Sequence, residues 1–97
     1  MSTQISDWRA AIDVNDRQLV QLLNTRVKLA CELAKLKHEM SIEILDVESE
    51  QQVLALARQN NGGPLDYGAI TRIFQRIIEE TRRIQCATPT RLEPSGW

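Results

Sequence analysis

Aromatic side chains are scarce in this sequence: two Trp, one Tyr and one Phe, or 4% of the chain. Any core must therefore be aliphatic. Glycine and proline are almost as few, at four and three residues. That argues against turn-rich sheet architectures, and the prevalence of Leu, Ile, Ala, Gln, Arg and Glu favours helix. Two cysteines, Cys31 and Cys86, and a single histidine, His38, give no metal-ligand spacing. A disulfide is possible in principle, but reduced thiols in a cytoplasmic protein are the plainer reading. No stretch approaches the ~18 apolar residues of a membrane span. The opening MSTQISDWRA has no apolar run and does not read as a secretory signal. An excess of one charge is missing too. Twelve Lys and Arg offset thirteen Asp and Glu, interspersed to a net −1, which leaves no footprint for nucleic acid or an anionic membrane. Ninety-seven residues allow one domain, with little margin for a core of its own.

What is present is periodicity. Ile5, Ile12, Leu19, Arg26, Leu33 and Met40 recur every seventh residue. Trp8, Asn15, Leu22, Leu29 and Leu36 form a companion series three residues later. No Gly or Pro interrupts this heptad pattern, which predicts one helix from an N-cap at Asp7 to about Met40. Such a helix is ~50 Å long at 1.5 Å per residue. A compact domain of this size has a radius of gyration near ~13 Å, so the remaining residues cannot wrap the helix. It needs a second chain, most simply through a two-fold dimer.

A short link, Ser41 to Leu45, follows. Asp46 is expected to cap a second helix, with Glu48 and Glu50 in its dipole-favoured first turn and Val53, Leu54, Leu56 and Ala57 as its apolar face. Asn60-Asn61-Gly62-Gly63-Pro64 is a strong stop. Asp66 caps a third helix whose stripe reads Ile70, Ile73, Phe74, Ile77, Ile78, Thr81 and Ile84, ending near Gln85 or Ala87. The expectation is an all-α domain over residues 1–87, with three helices per chain (long, short, medium) in an intertwined homodimer. Residues 88–97 form a loosely ordered tail.

Polar residues on the apolar series mark candidate chemistry. Arg26 is the sharpest, because an unpaired buried guanidinium is costly. It pairs with a carboxylate of another helix, snorkels, or holds a ligand carboxylate through its planar fork. Asn15 reads as a register-setting amide or a mild defect. Lys37 lies eleven residues beyond Arg26, ~20° away around the helix and ~16 Å along it, so both could reach one small dianion; alone, it reads as a solvated lysine. Arg9 is ~25 Å from Arg26 along the same rod and can meet it only in the site of an antiparallel partner chain. Thr81 and Gln85 share one stripe at i,i+4 spacing. Either they form a polar pocket wall, or Thr81 bonds back to its own helix and Gln85 is solvated. His38 reads as a surface residue.

Taken in order, Trp8-Arg9-Ala10-Ala11-Ile12-Asp13, Leu22-Leu23-Asn24-Thr25-Arg26 and Leu36-Lys37 resemble the first helix of the all-helical chorismate mutases. Ile44-Leu45-Asp46 with Glu50 and Val53-Leu54 resembles the start of their second helix. Asn61-Gly62-Gly63-Pro64-Leu65 and the run Ile73 to Gln85 are similar to the family's turn and third helix. The resemblance covers about residues 5 to 86. It implies rearrangement of chorismate to prephenate, on the route to phenylalanine and tyrosine, in a dimer with shared sites and no cofactor. By position, it implies that Arg9 of one chain and Arg26 of the other clamp the two substrate carboxylates. Lys37 and Gln85 would donate to the ether oxygen. Glu50 would accept from the ring hydroxyl, assisted by backbone near Asp46, and Thr81 stands where the family commonly has Ser.

One position departs from the pattern. Ser49 precedes Glu50 where the family usually has Arg, and one charge-assisted contact contributes ~1.5–3 kcal/mol. Three readings stay open: a tolerated variant, compensation by Arg82 or Arg83, or altered specificity. Two rival functions also stand beside the mutase reading. One is an isochorismate pyruvate lyase of the same fold; the other is a helical dimerisation module without catalysis.

Overall fold

A computed structural model of the chain describes residues 2–40 and 47–87. Three helices follow in order: α1 (Ser2–Glu39), α2 (Val47–Asn60) and α3 (Tyr67–Ala87). There is no strand among the described residues. The long, short, medium order expected from periodicity is observed. The link from Ser41 to Leu45, the cap expected of Asp46 and the tail after Ala87 lie outside the described residues.

The start of α1 differs from expectation. Asp7 is not its N-cap, because helix already runs from Ser2. The segment Ser2 to Ser6 contains no Gly or Pro, so nothing in it breaks the helical backbone once the following residues supply hydrogen-bond partners. At 38 residues the helix should extend ~57 Å, and the molecule measures 59 × 34 × 15 Å. Its radius of gyration is 17.0 Å, well above the ~13 Å of a compact domain of this length.

The turn between α2 and α3 is fixed locally. Asn61 Nδ2 donates to Leu65 O at 2.7 Å, and the Gly63 amide donates to Asn61 Oδ1 at 3.1 Å. Gly63 sits at φ 82°, a left-handed conformation that glycine adopts without a side-chain clash. Asp66 caps α3 as expected, its Oδ1 accepting from the Ala69 amide at 2.7 Å. Arg58, in the last turn of α2, stacks over the Tyr67 ring at 4.7 Å and so ties the two helices beside the turn.

α3 is the hub, packing against both α1 and α2. The shielded side of α1 carries Leu23, Val27, Ala30 and Ala34, spaced by four, three and four residues. The heptad series stays largely open: Ile5 and Ile12 share the direction of Leu23 and Ala30 but lie in the half of α1 that carries no shielded positions, and of the series only Arg26 is half-buried. Trp8 is 72% exposed and Leu22 67%, and Ile5, Ile12, Leu19, Leu29, Leu33 and Leu36 are exposed as well. On α3, Ile70, Phe74, Ile77 and Ile78 are half-buried, whereas Ile73 falls on the flank of the stripe and is exposed. Among the described residues only Ala34, Leu54 and Thr81 are buried, and no large side chain is fully buried. A single chain leaves most of its apolar side chains in water.

Candidate active site

The unbroken α1 helix places Arg9, Arg26 and Lys37 on one rod, so the rise and rotation per residue fix their relations. Arg9 is exposed in the half of α1 that carries none of the shielded positions. Arg26 and Lys37 are half-buried. Arg26 borders an open groove of about 500 Å³ lined also by Val53, Ala57, Asn61, Ile70 and Phe74. It is the one charged residue in that lining. Among the described residues no carboxylate pairs with Arg26, so the interhelical ion pair is not what holds it.

Glu50 and Thr81 lie outside the lining of this groove, one turn from Val53 on α2 and two turns from Phe74 on α3. Glu50 is half-buried and forms an ion pair with Arg82 of α3. Ser49 beside it is half-buried and uncharged. Thr81 is 5% exposed, the one buried polar residue among those described. Its hydroxyl donates to Ile77 O at 2.7 Å, the back-bond to its own helix. In this state its proton is committed, and its oxygen can only accept. Gln85 lies in the last turns of α3, but its side chain and all of Asp46 lie outside the described residues.

Arg26, Lys37, Glu50 and Thr81 come from three helices that α3 holds together, while Arg9 stands on the unpacked end of α1. Arg82 was the less obvious member. Its signal in the sequence is its place four residues after Ile78 and next to Thr81, on the edge of the α3 stripe. Arg83 faces elsewhere: its Nε and Nη2 both reach Glu80 Oε1 at 2.9 Å on the same helix.

The arrangement matches a known family. The model for chorismate mutase type II matches residues 8–86. This chain belongs to that family. A chorismate mutase of Methanocaldococcus jannaschii is 28% identical over 89 residues, covering 88% of this chain and 87% of the archaeal one. A bifunctional chorismate mutase/prephenate dehydratase of Buchnera aphidicola is 38% identical over 78 residues, which are 76% of this chain. The present chain spans only 20% of that bifunctional relative. Among solved structures, two forms of the Thermus thermophilus chorismate mutase superpose with TM-scores of 0.80 and 0.78. They are 26% and 27% identical, covering 84% and 80% of this chain and 93% and 98% of theirs. The three-helix order is therefore the family fold.

No metal-holding group of His, Cys, Asp and Glu occurs among the described residues, and no described helix is long and apolar enough to cross a membrane. Cys31 is half-buried with a free thiol.

Proposed function

We propose that this chain catalyses the rearrangement of chorismate to prephenate, as a homodimer whose sites combine residues of both chains. The observation that carries the reading is Arg26: a half-buried guanidinium on an apolar groove, with no carboxylate paired to it among the described residues, in a family member. A ligand carboxylate is the partner such a group lacks.

The reaction is a unimolecular pericyclic shift: one C–O bond breaks as one C–C bond forms within a single molecule. It needs no nucleophile. The protein has two tasks, to hold a flexible dianion in its reactive conformer and to stabilise charge growing on the ether oxygen. Arg26, with Arg9 of the second chain, clamps the carboxylates. Lys37 and Gln85 donate to the ether oxygen, and Glu50 accepts from the ring hydroxyl with backbone near Asp46. Thr81 can offer its hydroxyl to a substrate carboxylate only by turning it from Ile77 O. Ser49 stands beside Glu50 and leaves the cationic contact there to another residue.

The dimer rests on the exposed heptad series. A row of exposed apolar side chains from Ile5 to Leu36, broken only at Asn15 and Arg26, is too large an apolar surface for a monomer to leave in water. An antiparallel partner covers it and carries its own Arg9 toward the neighbouring Arg26. The cytoplasmic location expected from the sequence belongs to the same proposal, and cell fractionation checks it.

The direct test supplies the purified chain with chorismate and follows loss of its absorbance and appearance of prephenate. Isochorismate serves as the second arm. Pyruvate from isochorismate without prephenate from chorismate would replace the mutase by a lyase, and inertness toward both would leave a dimerisation module.

A further inference from the structure

Most ion pairs among the described residues link side chains three or four apart on one helix, as in Lys35–Glu32 and Arg76–Glu80. The pair of Arg82 Nη2 with Glu50 Oε2 is different, since it joins α3 to α2. Its side chains are 31% and 30% exposed, less than those of the other pairs, which range from 39% to 73%. We propose that Arg82 is a positioning residue: it fixes the Glu50 carboxylate so that one oxygen remains turned to the substrate hydroxyl. This inference rests on the assignment of Glu50 to that hydroxyl.

The surroundings of the pair support it. A glutamate in the first turn of a helix has several rotatable bonds, and ordering it in advance lowers the entropy lost when substrate binds. An anchor on a second helix does that. The anchor stands on a packed turn of α3, because the adjacent Thr81 is buried there. Arg83 cannot substitute, being engaged with Glu80 on its own helix. The neighbouring Ser49 brings no charge to compete for Glu50. A carboxylate offers about four lone-pair sites, so an Arg on Oε2 leaves Oε1 able to accept a hydroxyl proton.

The test measures kcat and KM for chorismate in the full chain carrying Arg82→Met, Glu50→Gln, or both. Each single change should lower kcat/KM about 10- to 100-fold, the range expected when a substrate-orienting contact is misplaced. The double variant should be no worse than Glu50→Gln alone, because residues acting as one unit are not additive. Arg82→Lys should recover part of the loss. Arg83→Met should stay within about twofold, as exposed pairs contribute little. Circular dichroism checks that each variant folds; if Arg82→Met does not, Arg82→Gln is read in its place. Unchanged kcat/KM in the Arg82 variant, or losses that multiply in the double variant, would overturn the inference. Absence of prephenate formation by the unsubstituted chain would instead overturn the mutase reading, and this inference with it.

Discussion

Arg26 and Thr81 both break an apolar pattern, and the structure treats them differently. Thr81 satisfies its hydroxyl within its own helix and packs as a buried residue. Arg26 finds no carboxylate among the described residues and borders a largely apolar groove. Its aliphatic stem can be replaced by Leu at little cost in packing, whereas its charge cannot. Arg26→Leu should keep helical content and oligomeric state while reducing kcat/KM at least about tenfold, since a charge-assisted contact contributes ~1.5–3 kcal/mol. Circular dichroism, gel filtration and steady-state kinetics on one preparation decide it; full turnover would remove Arg26 from the site. Arg82 shows the reverse case. Its neighbour Arg83 has the same side chain and a one-residue offset, and that offset of ~100° sends the two cations to different helices.

At the scale of elements, the α2–α3 hairpin depends on a few local bonds. Asp66 satisfies an otherwise unpaired amide at the start of α3, and Asn61 and Gly63 close the turn before it. Asp66→Ala should therefore cost ~0.5–2 kcal/mol of stability. A thermal melt should move downward by about 4–8 °C per kcal/mol for a domain of this size. Because Asp66 stands at the turn, about four helical turns from Thr81, kcat at a temperature well below the melt should be unchanged. A large loss of kcat with an unmoved melt would mean that the turn, and not only the helices, shapes the site. The ion pairs along the helix surfaces, such as Lys35–Glu32 and Arg76–Glu79, are exposed and add little to either quantity.

The whole molecule is an open rod-and-hairpin rather than a closed bundle. α1 is about as long as the molecule, yet only its second half carries shielded positions. Arg9 and Arg26 lie ~25 Å apart on that rod, beyond the reach of one small dianion. If each site takes Arg9 from one chain and Arg26 from the other, Arg9→Ala and Arg26→Ala chains are each inactive alone but complement each other. After subunit exchange in equal mixture, half of the dimers are mixed and one of their two sites is whole. Activity should thus return to about a quarter of the unsubstituted value, by the two-fold symmetry of such a dimer. Verified mixed dimers without activity would show that the two arginines serve one chain's site, or none.

Much of this was legible in the sequence because helix periodicity is local. The heptads of α1, the stop at Asn60 to Pro64, the Asp66 cap and the stripe of α3 each follow from neighbours within a few residues. The proposal of a second chain also starts from the sequence, since a rod of that length exceeds what the rest of the chain can cover. The helix start was misplaced at Asp7 because a polar cap-former is no barrier where the preceding residues also tolerate helix. Burial and pairing were decided only by the tertiary structure. Which side of α1 meets α3, and that Arg82 rather than Arg83 reaches Glu50, depend on how two helices cross. Crossing geometry arises from the packing of whole surfaces, and no spacing within one helix encodes it.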